Sequence, residues 1–259
     1  MIDLHCHLLP GIDDGAPDLE ASVAMARAAV EGGVEAIVAT PHVSGHYPND
    51  PKGFAARVAE VQAALDAASV ALRVHTGAEV AFSMLGDLDE EGLRAATLGG
   101  GSYLLLEPPY TGPAPFLDRM VFDLQLRGYQ VVLAHPERIQ AFQRDVDVVE
   151  RLVDQGVLCS VTAMSAAGRF GKGVQKVTGE LLRRGLVHNL ASDAHDASYR
   201  SPGLAPVLEE ACRHFPGLQE ALDWMTVGVP RAILAGETVG GGAPRLEGRA
   251  GLLGRLRRR

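Results

Sequence analysis

The residues able to do chemistry begin almost at once, in MIDLHCHLLPGIDDGA, where His5 and His7 stand two positions apart and Asp14 follows shortly after. On a strand, residues i and i+2 point to the same side, so the two imidazoles would project together. Two ring nitrogens and a nearby carboxylate could begin a divalent-cation site; a polar strand end would look the same. The rest of the chain repeats the arrangement. AIVATPH sets His42 just past an apolar run, VHTGAEV sets Glu79, and YLLLEPP sets Glu107. VVLAHPER then sets His135, and NLASDAH sets Asp193 and His195.

The elements that must carry these side chains follow from the hydrophobic pattern. Short apolar runs predict strands over 2–5, 36–40, 72–76, 103–106, 130–134, 157–161 and 187–191. Between and after them, helices are predicted over 19–31, 54–68, 116–127, 146–155, 173–184, 205–215 and 219–227, several closed by glycine. Strand–helix alternation implies an α/β fold with a parallel sheet. Seven such units fit a distorted, TIM-like (β/α)7 barrel better than a doubly wound sheet. In such a barrel the carboxyl ends of the strands meet on one face, and six of the seven predicted strands end in His, Asp or Glu. Converging buried carboxylates are costly without a cation, so the repetition favours metal. Imidazole mixed with carboxylate and no cysteine pair suits Mn, Fe or Zn in a reactive rather than a structural site. Cys6 lies between the two histidines, and strand alternation turns its thiol away from them.

Composition narrows the function classes. The 259 residues are 47% hydrophobic with a net charge of −8, which disfavours a nucleic-acid partner. Three widely spaced cysteines are no disulfide framework and fit a reducing compartment. No apolar run reaches the roughly 18 residues of a membrane span, and no basic leader opens the chain. A cytoplasmic protein is therefore expected, with a main domain over 1–237. A flexible Gly/Arg-rich tail is expected over 238–259, where residues 245–259 hold six arginines and one glutamate. Cysteine-based phosphate chemistry needs an arginine six positions after the nucleophile, but Cys6, Cys159 and Cys212 are followed there by Ile12, Ser165 and Leu218.

With IDLHCHLLPGIDDGAPD, IVATPH, TGAE, LLLEPP, LAHPER and ASDAH in view, the sequence resembles the polymerase and histidinol phosphatase (PHP) family. Within it, the likeness is to the CpsB/YwqE-type bacterial metal-dependent protein-tyrosine phosphatases, and it covers roughly residues 1–237. The resemblance implies three divalent cations, Mn first, with Fe or Zn as alternatives. His5, His7, Glu79 and Asp193 would hold the first, and Glu79 would bridge to a second completed by Glu107 and His135. Asp14, His42 and His195 would hold the third. Arg138 in AHPER and Arg200 in DAHDASYR would grip the substrate phosphate, since a guanidinium offers a fork of donors. The implied reaction is hydrolysis of a phosphate monoester by hydroxide held between the cations, with His42, Asp196 or a coordinated water as the general acid. The implied partner is the tyrosine-bearing C-terminal tail of an autophosphorylating bacterial kinase that controls capsular or exopolysaccharide synthesis. The stretch SVTAMSAAGRFG departs from the family pattern and is expected to border the substrate pocket. Rival readings are another PHP phosphoesterase such as a histidinol-phosphate phosphatase, a PHP-type nuclease, and a catalytically idle kinase-binding regulator.

Overall fold

The computed structural model describes residues 1–112, 116–240 and 242–246. Nine strands occur among them: β1 Ile2–Cys6, β2 Ala36–Ala39, β3 His42–Val43, β4 Arg73–Thr76, β5 Glu79–Ala81, β6 Tyr103–Glu107, β7 Gln130–Ala134, β8 Leu158–Thr162 and β9 Asn189–Ala191. They form two sheets, ordered β1-β2-β4 and β3-β5-β6-β7-β8-β9, with every ladder parallel. The α/β class is as expected; seven unbroken strands are not found. The second and third predicted strands are found at Ala36–Ala39 and Arg73–Thr76, and each is followed, after a break, by a short further strand that was not expected. Pro41 interrupts the second because it has no amide hydrogen to continue a ladder. The third breaks at Gly77, where a Cβ would lie 2.6 Å from Val38 Cγ1. Past both breaks the chain resumes in the second sheet, where His42 pairs with Glu79 and Glu79 with Leu105.

Contact between the first and last strands comes through a single parallel bridge, Cys6 to Ala194. The His7 amide donates to Ala194 O at 2.9 Å and the Asp193 amide donates to His5 O at 2.8 Å. These two bonds clamp the opening histidines to the residues that follow β9.

Helices cover the sheets, and their alternating strand residues divide the core. Ile37, Leu104, Leu106, Val131, Leu133 and Cys159 pack in a large cluster with helical residues such as Met25, Leu65, Val121 and Leu182. The opposite parity, Leu4, Val38, Leu105, Val132 and Leu158, forms a smaller cluster with Val229 and Ile233 of helix Val229–Leu234. A register shift in β1 matters for the site. Asp3 faces Ile37 and Cys6 faces Ala39, so β1 has one residue more than β2 between the two pairings. That extra residue reverses the alternation. Leu4 joins the small apolar cluster, Cys6 the large one, and His5 and His7 share one side.

The helices expected near 116–127, 146–155 and 205–215 are found at Leu117–Leu126, Asp147–Asp154 and Leu204–His214. Helix Glu90–Ala96 was not expected; the Asp89 carboxylate caps it by accepting the Gly92 amide at 2.7 Å. The helix expected over 219–227 ends at Asp223 and passes through a widened π turn, Trp224–Gly228, before Val229–Leu234. No described helix is long and apolar enough to cross a membrane. Within the segment assigned to the tail, the Leu246 amide donates to Leu182 O at 3.1 Å and its side chain is buried. Residues 247–259, with most of the arginines, lie outside the described residues.

Candidate metal centre

Everything converges on Glu79. It sits just past the Gly77 break and its carboxylate is fully buried. Its Oε2 lies 3.2 Å from His5 Nε2, 3.4 Å from His7 Nε2 and 3.0 Å from His42 Nδ1. Its Oε1 lies 2.9 Å from His135 Nε2. Four imidazoles, from the ends of β1 and β7 and the start of β3, thus surround one carboxylate. The rest of the expected set stands around this hub. Asp193 Oδ1 is 3.6 Å from both His5 Nε2 and His7 Nε2, and Glu107 Oε1 is 3.6 Å from His135 Nε2. Asp14 Oδ1 lies 3.5 Å from His42 Nε2 and 3.4 Å from His195 Nε2.

All nine residues expected from the sequence are brought together. They fall into four overlapping groups close enough to share ions: His7, Asp14, His42 and His195; His5, His7 and Asp193; His5, Glu79 and His135; and His42, Glu79 and Glu107. The donor set suits a divalent cation, and the unsatisfied atoms say where. Glu79 Oε2 and His42 Nδ1 are buried and 3.0 Å apart, yet neither makes a hydrogen bond. Buried polar atoms are rarely left so; a cation between them would satisfy both.

Electrostatics points the same way. Burial opposes a charge on His7, but the Asp13 and Glu79 carboxylates outweigh it and push its pKa up to about 10. Burial likewise opposes ionisation of Glu79 and Asp193. Both are nevertheless held below the ordinary carboxylate range, Glu79 by His5, His135 and His42, and Asp193 by His5, His135, Arg200 and Arg138. Glu107 moves up instead, because it is buried and faces Glu79. The pocket wants positive charge, which protons or metal ions can supply.

Several residues that hold this centre carry little signal in the sequence. Asp13, beside the expected ligand Asp14, plays another part. Its carboxylate accepts from His7 Nδ1 at 2.8 Å, from the His42 amide at 3.0 Å and from the Gly15 amide at 3.0 Å. Holding Nδ1 this way directs His7 Nε2 into the cluster, as carboxylates commonly do for ligating histidines. Gly15 completes the turn, since a Cβ there would lie 2.1 Å from His7 O. Asn49 Nδ2 donates to both Ile12 O and His42 O, tying this turn to β3. The buried Asp3 carboxylate accepts from the Ser192 hydroxyl and amide and from the His5 amide. His135 and Asp193 adopt φ of 31° and 51°, left-handed conformations that cost a non-glycine residue energy and cluster at functional sites. The DDG motif at least contains Asp13; nothing local marks Asn49.

The two expected phosphate arginines meet at one atom. Arg138 Nη1 pairs with Asp193 Oδ2, and Arg200 Nη2 lies 2.7 Å from the same oxygen. Arg138 is also sandwiched between aromatic rings, with its guanidinium carbon 5.2 Å from the centre of Tyr110 and 4.9 Å from that of Phe170. Phe170 belongs to the divergent stretch SVTAMSAAGRFG, which therefore does reach the site. Asp196 is not disposed to act as a general acid. Its carboxylate accepts the amides of Ser198, Tyr199 and Arg200 at 2.7, 2.6 and 3.1 Å, and these bonds outweigh burial to hold its pKa down. It shapes the loop that carries Arg200. The cysteines are equally unsuited to nucleophilic attack, because burial pushes all three thiols up and the thiolate is the reactive form.

Fold and site together define a class: a parallel α/β protein with a candidate centre for divalent cations at its strand ends and two arginines beside it. Residues 1–222 match the family described as capsular polysaccharide synthesis, CpsB/CapC, and the chain belongs to that family. It is 36% identical over 202 residues to the tyrosine-protein phosphatase YwqE of Bacillus subtilis, a match covering 78% of this chain and 80% of that one. It is 30% identical over 204 residues to the putative tyrosine-protein phosphatase CapC of Staphylococcus aureus, covering 77% and 79%. Its fold matches a solved structure from the set describing YwqE of B. subtilis and CpsB of Streptococcus pneumoniae as metal-dependent tyrosine phosphatases. There the TM-score is 0.85 at 32% identity, with 96% of this chain and 100% of that chain covered.

Proposed function

We propose that this chain is a metal-dependent phosphatase of phosphotyrosine proteins, working on three divalent cations, Mn first among them. The observation that carries the reading is the Glu79 hub, with four imidazoles on one buried carboxylate and Asp14, Glu107, Asp193 and His195 around them. His5, His7, Glu79 and Asp193 would hold one cation, Glu79, Glu107 and His135 a second, and Asp14, His42 and His195 a third. Bound there, the cations would supply hydroxide near neutral pH and screen the phosphate's charge. The protein's own contribution is positioning and charge. Arg138 and Arg200 converge on Asp193 and would turn their remaining N–H groups toward the non-bridging phosphate oxygens, where charge grows in the transition state. Asp13 keeps His7 oriented, and the Asp196 loop keeps Arg200 at the rim. A phenolate leaving group, with a pKa near 10, needs less help from an acid than an alkoxide would.

On the same reading the two sheets, joined by the Cys6–Ala194 bridge, make up a distorted (β/α)7 barrel whose second and third strands are kinked to turn His42 and Glu79 inward. The partner would be the tyrosine-rich tail of a bacterial kinase of capsule or exopolysaccharide synthesis, met in the cytoplasm. The test is hydrolysis of a phosphotyrosine peptide and of histidinol phosphate with added Mn²⁺. Preference for the peptide, lost in chelator and insensitive to thiol alkylation, is the expected result. Activity that survives chelation, or a preference for histidinol phosphate, would overturn the reading.

A further inference from the structure

We propose that the outer face of helix Leu117–Leu126 is a dimerisation surface, packing antiparallel against the same helix of a second copy of this chain. The helix already serves the fold through its other face, where Leu117, Val121 and Leu124 are buried in the core. A surface helix needs only such a stripe, and its outer face is ordinarily polar. Here the outer face carries Phe122 and Leu126, one turn apart and 56% and 71% exposed. Phe116, at the helix N-cap, is 74% exposed and holds a left-handed φ of 67°. That conformation costs a bulky residue energy, which an exposed ring does little to offset. Exposed Val30 and Tyr199, by contrast, come singly from separate parts of the chain, which is ordinary for a surface.

The order of side chains along this face identifies the occupant. At about 100° per residue, Phe116, Arg119, Phe122, Asp123 and Leu126 fall in one sector roughly 120° wide, opposite the buried stripe. Arg119 and Asp123 lie equally far on either side of Val121, and so do Phe116 and Leu126. A two-fold axis crossing the helix at Val121 therefore sets Arg119 against Asp123 of the second copy and Phe116 against its Leu126. Each contact occurs twice, and the two Phe122 rings meet near the axis. Such a surface is self-complementary, as a two-fold interface must be. Within one copy the Arg119–Asp123 pair is 3.9 Å apart and open to solvent, so it contributes little by itself. Across the axis the four charges alternate in sign. An acidic lipid surface or peptide would face Asp118 and Asp123 as well as Arg119, and would gain nothing from the reciprocal order.

One helix face is smaller than the roughly 800 Å² per partner of a standard interface, so a reversible dimer with a Kd of about 10–100 μM is expected. Sedimentation equilibrium of the full, Mn²⁺-loaded chain between about 5 and 500 μM measures it. Phe122→Glu and Leu126→Glu should each weaken dimerisation by at least about 30-fold, since each change enters the interface twice. Arg119→Glu should weaken it at least about tenfold by setting acid against acid on both sides of the axis. Adding Asp123→Arg to that variant should restore the dimer with its charges exchanged. All four positions are exposed, and far-UV circular dichroism checks that each variant stays folded. A chain that remains monomeric at about 500 μM, a dimer untouched by both Phe122→Glu and Leu126→Glu, or a charge-exchanged variant no tighter than Arg119→Glu alone would overturn the inference. The readout is mass, so its outcome is independent of the phosphatase reading.

Discussion

Leu4, Leu105 and Val132 lie one to three residues before His5, Glu107 and His135, on or just before the same strand ends, yet the two groups obey opposite physics. The first three belong to the small apolar cluster, which is complete in itself. The other three belong to a centre that holds buried imidazoles and carboxylates with orphaned polar atoms, and it is complete only with added positive charge. One region stabilises the fold through burial alone. The other gives up stability to strained backbone at His135 and Asp193 and to partly satisfied polar groups. Such a region is kept for what it binds.

Four measurements would break or sharpen that contrast. Glu79→Gln should have the largest effect, because it removes the carboxylate shared by four histidines. Loss of metal-dependent hydrolysis on the order of 10³-fold or more is expected, since several kcal/mol of charge stabilisation leave with the cation, while far-UV circular dichroism stays native. If activity survives with Mn²⁺ unchanged in stoichiometry, the hub is misassigned. Leu105→Ala should do the reverse: a loss of about 2–5 kcal/mol in denaturant unfolding, with metal uptake per folded molecule retained. An equal loss of metal uptake would mean that the two regions are not separable.

The third measurement uses His188, which is buried beside β8 and accepts the Cys159 amide at its Nδ1, 3.1 Å away. Burial lowers its pKa from 6.5 to about 4. Between those values the unfolded chain binds a proton that the folded chain refuses, so stability is full above pH 6.5 and falls as pH drops toward 4. The shift corresponds to a loss on the order of 3 kcal/mol. His188→Gln should flatten that slope in a pH series of unfolding curves; an unchanged slope would point to the metal-site groups as the source. The smallest effect is expected of Phe170→Ala, which strips one ring from Arg138. A fall of roughly tenfold in kcat/KM for aryl phosphate, within the range of one cation–π contact, should leave metal content untouched.

How much of this was legible in the sequence depended on whether the cue was local. The nine expected ligand-type residues meet in one place, and for most of them the cue was an apolar run just before, since parallel strands carry such residues to one end. The short further strands after the second and third were not legible, although Pro41 and Gly77 stand in plain view. A proline or glycine after a strand reads equally well as a turn, and only packing against Val38 shows that the chain resumes pairing. Asp13 is hidden because its neighbour Asp14 has the same side chain, and the backbone of the DDG turn alone decides which carboxylate faces which histidine. Asp196 misleads for the converse reason: three amides of its own loop claim its carboxylate.

Side-chain type, spacing and hydrophobic rhythm thus marked the class of fold and the set of ligand-type residues, because both are properties of short stretches. Which carboxylate became the hub, which aspartate orients rather than faces the cluster, and where an aromatic cage encloses Arg138 were decided only when distant strand ends met. Those choices depend on the extra residue in β1, the kinks at Pro41 and Gly77, and distances of a few ångströms between groups far apart in the chain. Short-range electrostatic and packing forces act on such distances, and no local pattern encodes them.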